Sequence, residues 1–281
     1  MKKIAAIQMS SSDNVDENLS QAEQLISKAS SQGALLVVLP EMFAIMGKTP
    51  TDKVDVAEEY GNGKIQSFLS RCAKQYNIWI VGGTIPLQCE DKNKVRAACI
   101  VYDSTGKSVA RYDKIHLFDA KLSETENYQE SDTTEPGNSV VIIDSPVGKL
   151  GLVVCYDIRF PTLLTKLMNR GVEIITIPAA FTVKTGEAHW KLLTRARAVD
   201  TFSYIIGSAQ SGAHASGRKT YGHTLIVNPW GTVVSEIAEA GNAIAYADID
   251  LKQLREIRKS IPVLQHKKTL YDLTELDDFC R

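Results

Sequence analysis

Two stretches, GALLVVLPEMF (33–43) and GVEIITIPAAF (171–181), constrain the fold of this chain more than any other feature. A glycine, a buried-strand run, a proline and a phenylalanine fall at equal offsets in both. Each stretch follows an amphipathic helical pattern. Each helix in turn follows a strand opening on Lys-Ile or Lys-Leu, at Lys3 and Lys149. Strand, helix and second strand, written twice, point to a duplicated βαβ-type unit: an α/β chain with two sheets face to face and helices outside. The apolar run ALLVVL (34–39) is that of a strand buried on both faces. Where the first copy has Glu41 the second has Ala179, so the backbone does not demand the acid.

Further elements follow from periodicity and turn chemistry. KIAAIQM (3–9) is a strand, and Asp13 or Asn14 caps the helix after it, which Gly33 ends. A helix near 63–75 leads to strands at 78–85, 95–103 and 107–118. A polar loop spans 119–139, long enough to suspect a functional role. Strands at 140–144 and 149–154, a helix at 187–202, and strands at 203–209, 223–228 and 243–249 complete the pattern. A turn at Pro229-Trp230-Gly231-Thr232 and a short helix capped by Asp250 are expected. The tail IPVLQHKKTLYDL (261–273) mixes apolar and basic residues and is expected to lie over its own subunit or a partner.

Composition excludes several classes. With 44% hydrophobic and 23% charged residues among 281, a substantial core is available. A net charge of −1 gives no long-range pull toward nucleic acid or anionic lipid, so any charged substrate must be recognised locally. No run approaches membrane-spanning length, and the N-terminal residues read as a first strand rather than a signal peptide. Five cysteines without close pairs argue for a reducing, cytoplasmic setting, and the scattered histidines offer no metal site.

Polar chemistry leaves a strand at three places. In GKLGLVVCYDIRFP (148–161) an apolar run delivers Cys155 straight into Tyr156, Asp157 and Arg159. A cysteine kept for packing, the reading that fits Cys72 and Cys99, would sit inside the run. Glu41 follows buried residues and a proline, where a carboxylate is costly unless paired, though it is also a plausible strand-end acid. Lys114, in RYDKIHLFD (111–119), lies among Tyr112, Ile115, Leu117 and Phe118; a solvated sheet-edge lysine is the alternative. Together they describe one mechanism. A free thiol has a pKa of about 8.5; a lysine ammonium stabilises its thiolate, and a carboxylate takes its proton and later activates water. Lys114 and the Tyr156 amide can then hold the oxyanion.

PEMF, YDKIHLFD and VVCYDIRFP, in this order and spacing, resemble the signature blocks of the nitrilase, or carbon–nitrogen hydrolase, superfamily over nearly the whole chain. The resemblance implies a four-layer α-β-β-α sandwich, with 1–252 as the hydrolase domain and 253–281 as its C-terminal extension. It implies Glu41 as general base, Lys114 as oxyanion stabiliser and Cys155 as nucleophile, with no metal or organic cofactor. It also implies a second glutamate near the lysine. Glu130 in YQES is the choice, Glu126 the main rival, and Glu124 and Glu135 are expected to be solvated.

CYDIRFP is similar to the amidase branch, whose members cleave the terminal amide of 2-oxo acids or of deaminated glutathione. Tyr156, Arg159 and Phe181 are the expected substrate-binding residues. Arg159 offers a fork for a substrate carboxylate, a salt bridge to Asp157 or another acid being the alternative. The expected substrate is a small amide, deaminated glutathione first and 2-oxoglutaramate or another linear amide second. No nucleic-acid or membrane partner is expected, and a homo-oligomer is expected by analogy. A Cys-His hydrolase would instead need His116, His189 or His223 against Cys155.

Overall fold

A computed structural model describes residues 1–124 and 126–268. One sheet orders its strands Ala243–Ile249, Lys2–Gln8, Leu36–Val38, Trp79–Val81, Val95–Tyr102 and Ile85–Gln88, with Ser108–Asp113 also paired to Val95–Tyr102. The other runs Val233–Glu236, Leu225–Val227, Tyr204–Ala209, Ile174–Ala179, Gly148–Leu152 and Ile142–Ser145. Each sheet has three adjacent parallel strands flanked by antiparallel ones.

The internal repeat holds down to single hydrogen bonds. Helices Val15–Ser31 and Pro161–Asn169 are both followed by a left-handed glycine, Gly33 at φ 81° and Gly171 at φ 74°. A Cβ would disfavour that conformation, so the glycine is required by the chain reversal. In each copy the next residue donates back into the helix, Ala34 N to Ala29 O at 3.1 Å and Val172 N to Leu167 O at 3.3 Å. The residue after that joins the first strand, Leu35 N to Lys3 O and Glu173 N to Lys149 O, both at 2.9 Å.

Alternation along the strands builds the layers. Ile4, Ala6, Leu36 and Val38 share a core with Leu150, Leu152 and Ile206 of the other sheet. Their neighbours Ala5, Ile7, Val37 and Leu39 pack with Ile26 of helix Val15–Ser31 and Leu69 of helix Lys64–Gln75. Leu164 and Leu167 of Pro161–Asn169 and Ala198 of Lys191–Thr201 cover the second sheet. The result is helix, sheet, sheet, helix. Ser208 Oγ ties the sheets together by donating to the carbonyls of Val38, at 3.0 Å, and Ile7.

Several elements differ from expectation. The strand read at 78–85 breaks at Gly82-Gly83, because Gly83 (φ 57°) packs so closely that a Cβ there would lie 2.0 Å from Pro40 O. The loop at 119–139 contains a hairpin, Asp119–Lys121 with Asn127–Gln129, and a turn at Glu130–Asp132. The strand read to 118 stops at Asp113. The helix read at 187–202 starts earlier, at Val183, and passes through a π-helical turn at Gly186–Trp190. There Gly186 meets Tyr221 with no room for a side chain. Asn14, not Asp13, caps the first helix, accepting from Asp16 N at 3.0 Å. The tail reading at 261–273 lies partly outside the described residues. Among these no helix is long and apolar enough to cross a membrane.

Candidate active site

Glu41, Lys114 and Cys155 stand at the ends of three strands and meet in one cavity of about 900 Å³. Glu41 follows Leu36–Val38 by way of Leu39 and Pro40, and its neighbour Met42 is left-handed (φ 57°), with its N–H held by Thr84 Oγ1 at 2.9 Å. Lys114 follows Ser108–Asp113. Cys155 follows Gly148–Leu152, opens a 3-10 turn to Arg159, and is itself left-handed at φ 47°. That conformation is unusual for a residue with a Cβ, and it sets the thiol at a sharp strand-to-helix junction.

The lysine organises the acids. Lys114 Nζ donates to Glu41 Oε1 at 2.8 Å and to Glu130 Oε2 and Oε1 at 2.7 and 3.0 Å. Lys114 is only 2% exposed and Glu41 4%, so the solvated alternatives weighed for both do not apply. Glu130 also accepts from Phe118 N at 2.7 Å. The other acids of the loop go elsewhere: Glu135 pairs with Arg96, Glu124 with Lys121, and Glu126 accepts from Tyr128 Oη.

Burial alone would push the Lys114 amine down, but the Glu130 and Glu41 carboxylates outweigh it and hold the amine well above the usual lysine range. Burial likewise raises the Glu130 carboxyl, and the Lys114 ammonium overcomes this, leaving Glu130 below its ordinary value. The thiol behaves differently. Burial and then the Glu41 charge push Cys155 well above its ordinary range, with Lys114 and the Ala180 N–H opposing them. Glu41 and Lys114 thus both act on the sulfur, in opposite directions. Burial takes Cys72 and Cys99 each to about 12, alone at Cys99 and with the Glu23 charge adding and Arg71 opposing at Cys72.

Asp157 does not pair with Arg159. It is fully buried and accepts from Val154 N at 2.9 Å, Tyr112 Oη at 2.6 Å, His116 N at 2.9 Å and His116 Nδ1 at 2.7 Å. Arg159 donates to His189 Nδ1 at 3.1 Å and lies over the rings of Phe181 and Tyr156, 5.5 and 5.7 Å from their centroids. Among the described residues it forms no ion pair with a carboxylate. His116 and His189 are thus committed to Asp157 and Arg159, and His223 faces Glu236, which removes the basis for a Cys-His pair.

Tyr156, Arg159 and Phe181 all line the cavity, with Phe118 and Tyr128 extending its aromatic wall. Sequence reading missed the Ala180 N–H directed at the sulfur, the Phe118 N–H on Glu130, and the cations Lys53 and Arg218. The repeat did carry a signal for the first: Ala180 occupies the position that Met42 holds in the other copy. Seven cationic and four acidic side chains line the cavity, so positive charge is concentrated here in a chain of net charge −1. Among the described residues no group of three or more His, Cys, Asp or Glu side chains is placed to hold a metal.

Comparison with known proteins agrees with this architecture. A carbon-nitrogen hydrolase family model matches residues 3–259. A protein named deaminated glutathione amidase from Yersinia enterocolitica is 39% identical over 272 residues, covering 96% of this chain and 94% of its own. The crystal structure of Nit3 from Saccharomyces cerevisiae, a member of branch 10 of the nitrilase superfamily, is similar with TM-score 0.83 and 32% identity, over 93% of this chain and 94% of that one. The NitFhit protein of C. elegans is similar with TM-score 0.89 and 33% identity over 95% of this chain, which spans only 65% of NitFhit. With its repeat-built sandwich and the three strand-end residues meeting in one cavity, this chain belongs to the carbon-nitrogen hydrolase family.

Proposed function

We propose that the chain is a cysteine amidase that hydrolyses deaminated glutathione to 2-oxoglutarate and cysteinylglycine. The observation that carries the chemistry is Lys114 Nζ, hydrogen-bonded to both Glu41 and Glu130 beside the Cys155 thiol. The name of the relative at 39% identity over nearly the full length supports the substrate.

Glu41 takes the thiol proton as sulfur bonds to the amide carbon. The oxyanion is held by Lys114 Nζ and the Tyr156 N–H. Protonated Glu41 returns the proton to the nitrogen as the C–N bond breaks, leaving a thioester on Cys155. Water, deprotonated by Glu41, then attacks the thioester; the second oxyanion collapses, the acid leaves, and the sulfur regains its proton. Glu130 positions Lys114 throughout, and Arg159 takes the 2-oxo acid carboxylate. The aromatic wall of Tyr156, Phe181 and Phe118 packs against the chain of the substrate.

A cytoplasmic setting is supported by the free thiols of Cys72, Cys89, Cys99 and Cys155. Assembly into a homo-oligomer is supported by Leu192 and Trp230, 66% and 60% exposed on the outer face of the second sheet's helical layer and the turn beside it. The test of the function is kinetic. Purified protein is expected to release 2-oxoglutarate from deaminated glutathione with a higher kcat/KM than from 2-oxoglutaramate. The reverse ranking would assign it to the smaller amide.

A further inference from the structure

Lys53 and Arg218 reach the same cavity from separate parts of the chain. Lys53 sits on the short helix Asp52–Asp55, and its Nζ donates to Thr134 Oγ1 at 2.6 Å. Arg218 adjoins the hairpin of Ser211–Ala213 and Lys219–Tyr221. Its guanidinium lies 5.1 Å from the Tyr128 ring centroid, and Nη2 donates to Ala180 O. Both side chains are therefore fixed in place. Among the described residues neither forms an ion pair. The Glu130 and Glu41 carboxylates act on Lys53 through space, but both are already hydrogen-bonded to Lys114.

Arg218 Nε is buried without a hydrogen-bond partner, which is costly for a charged donor. Two like charges held against one cavity also repel each other, an arrangement that an anion between them would relieve. Arg159 does not fill that role, being a cation itself, over Phe181. The two guanidinium groups thus contact consecutive residues, Ala180 and Phe181, and the Ala180 N–H is the one directed at the Cys155 sulfur. Arg159 on one hand, and Lys53 with Arg218 on the other, line the same cavity as that sulfur.

We propose that Lys53 and Arg218 form a second carboxylate subsite, which makes this site one for amides that carry a carboxylate on each side of the scissile C–N bond. The proposal rests on the amidase reading above and deepens it: Arg159 holds the acid of the acyl half, and Lys53 with Arg218 holds the acid of the leaving amine. Deaminated glutathione has both carboxylates; 2-oxoglutaramate has only the first.

Binding to the full chain carrying Cys155→Ala, measured by calorimetry, separates the subsite from turnover. Adding Arg218→Gln or Lys53→Gln is expected to weaken deaminated glutathione about tenfold, the loss of one charge-assisted contact. 2-Oxoglutaramate is expected to weaken less than about twofold. Gln at 218 retains a donor for Ala180 O, and Lys53→Gln leaves the hairpin untouched, so agreement between the two variants excludes a folding effect. Equal weakening of both ligands, or of neither, would overturn the subsite. Discriminating binding in a chain whose wild type hydrolyses neither amide would overturn the reaction and leave the subsite standing.

Discussion

The Tyr112 hydroxyl donates a 2.6 Å hydrogen bond to Asp157, joining the strand that delivers Lys114 to the turn that presents Cys155. Asp157 fastens the same turn through Val154 N and reaches His116 twice. Burial and the Asp157 charge drive the Tyr112 phenol far above its usual range, so it remains a donor at any working pH. Lysine and thiol are thereby held in mutual register by a group that touches neither.

Removing that clamp is expected to affect both stability and rate. Tyr112→Phe deletes one hydrogen bond to a buried charge and should cost about 1.5–3 kcal/mol in urea unfolding. Asp157→Asn turns an amide toward donors that need an acceptor. It should cost at least as much and lower kcat more than it raises KM, because the Cys155 turn loses its anchor.

Gly83→Ala is expected to act at a distance. A Cβ there would meet Pro40 O at 2.0 Å, a backbone atom directly before Glu41 that cannot swing aside. With φ at 57° the change is also strained. A loss of roughly 3 kcal/mol or more, with activity falling in parallel, is expected from denaturant melts and initial rates.

Glu130→Gln leaves a shape in place but removes one of the two charges on Lys114. A fall of about 10²-fold in kcat is expected, against about 10³-fold or more for Glu41→Gln, since in the proposed mechanism only the latter removes the proton acceptor. Steady-state kinetics on the two variants decides the order. Equal losses would contradict the division of roles.

Acid sensitivity should trace in part to His214. Burial is the main reason its imidazole titrates below the ordinary 6.5, with the Arg218 charge adding to it. The ring lies between Ser11 O at 2.9 Å and Thr220 Oγ1 at 2.7 Å. The unfolded chain therefore takes up a proton that the folded one resists. This contribution is full above about 6.5 and is lost as pH falls through the lower folded value. His214→Asn is expected to flatten the dependence of Tm on pH in that window while lowering Tm at pH 7.

Much of this molecule could be read from its residues because the relevant forces are local and periodic. The glycine, strand, proline and phenylalanine of the two copies reflect a helix cap and a doubly buried strand, and both occur as expected. Cys155 was visible because polarity changes abruptly behind it. Lys114 was harder to place: nothing near it in the chain reveals that Glu41 and Glu130 neutralise it inside the protein. The left-handed backbone at Met42 and Cys155 carried no glycine or asparagine to announce it. Asp157 looked like a partner for Arg159, two residues away, yet long-range donors from Tyr112 and His116 claim it. The hairpin inside 119–139 was hidden by polar composition. Arg218 was overlooked because its meaning depends on Ala180 and Tyr128, far away in sequence.

The central claim, that acid, amine and sulfur act together on one amide, is tested most directly by trapping the acyl group. Wild-type protein mixed with deaminated glutathione, quenched in acid within a turnover and digested, is analysed by mass spectrometry of the cysteine peptides. The account predicts a 2-oxoglutaryl thioester on the peptide containing Cys155, formed with release of cysteinylglycine and absent from Glu41→Gln. Hydrolysis that persists in Cys155→Ala, or an adduct on Cys72, Cys89 or Cys99 instead, would contradict it.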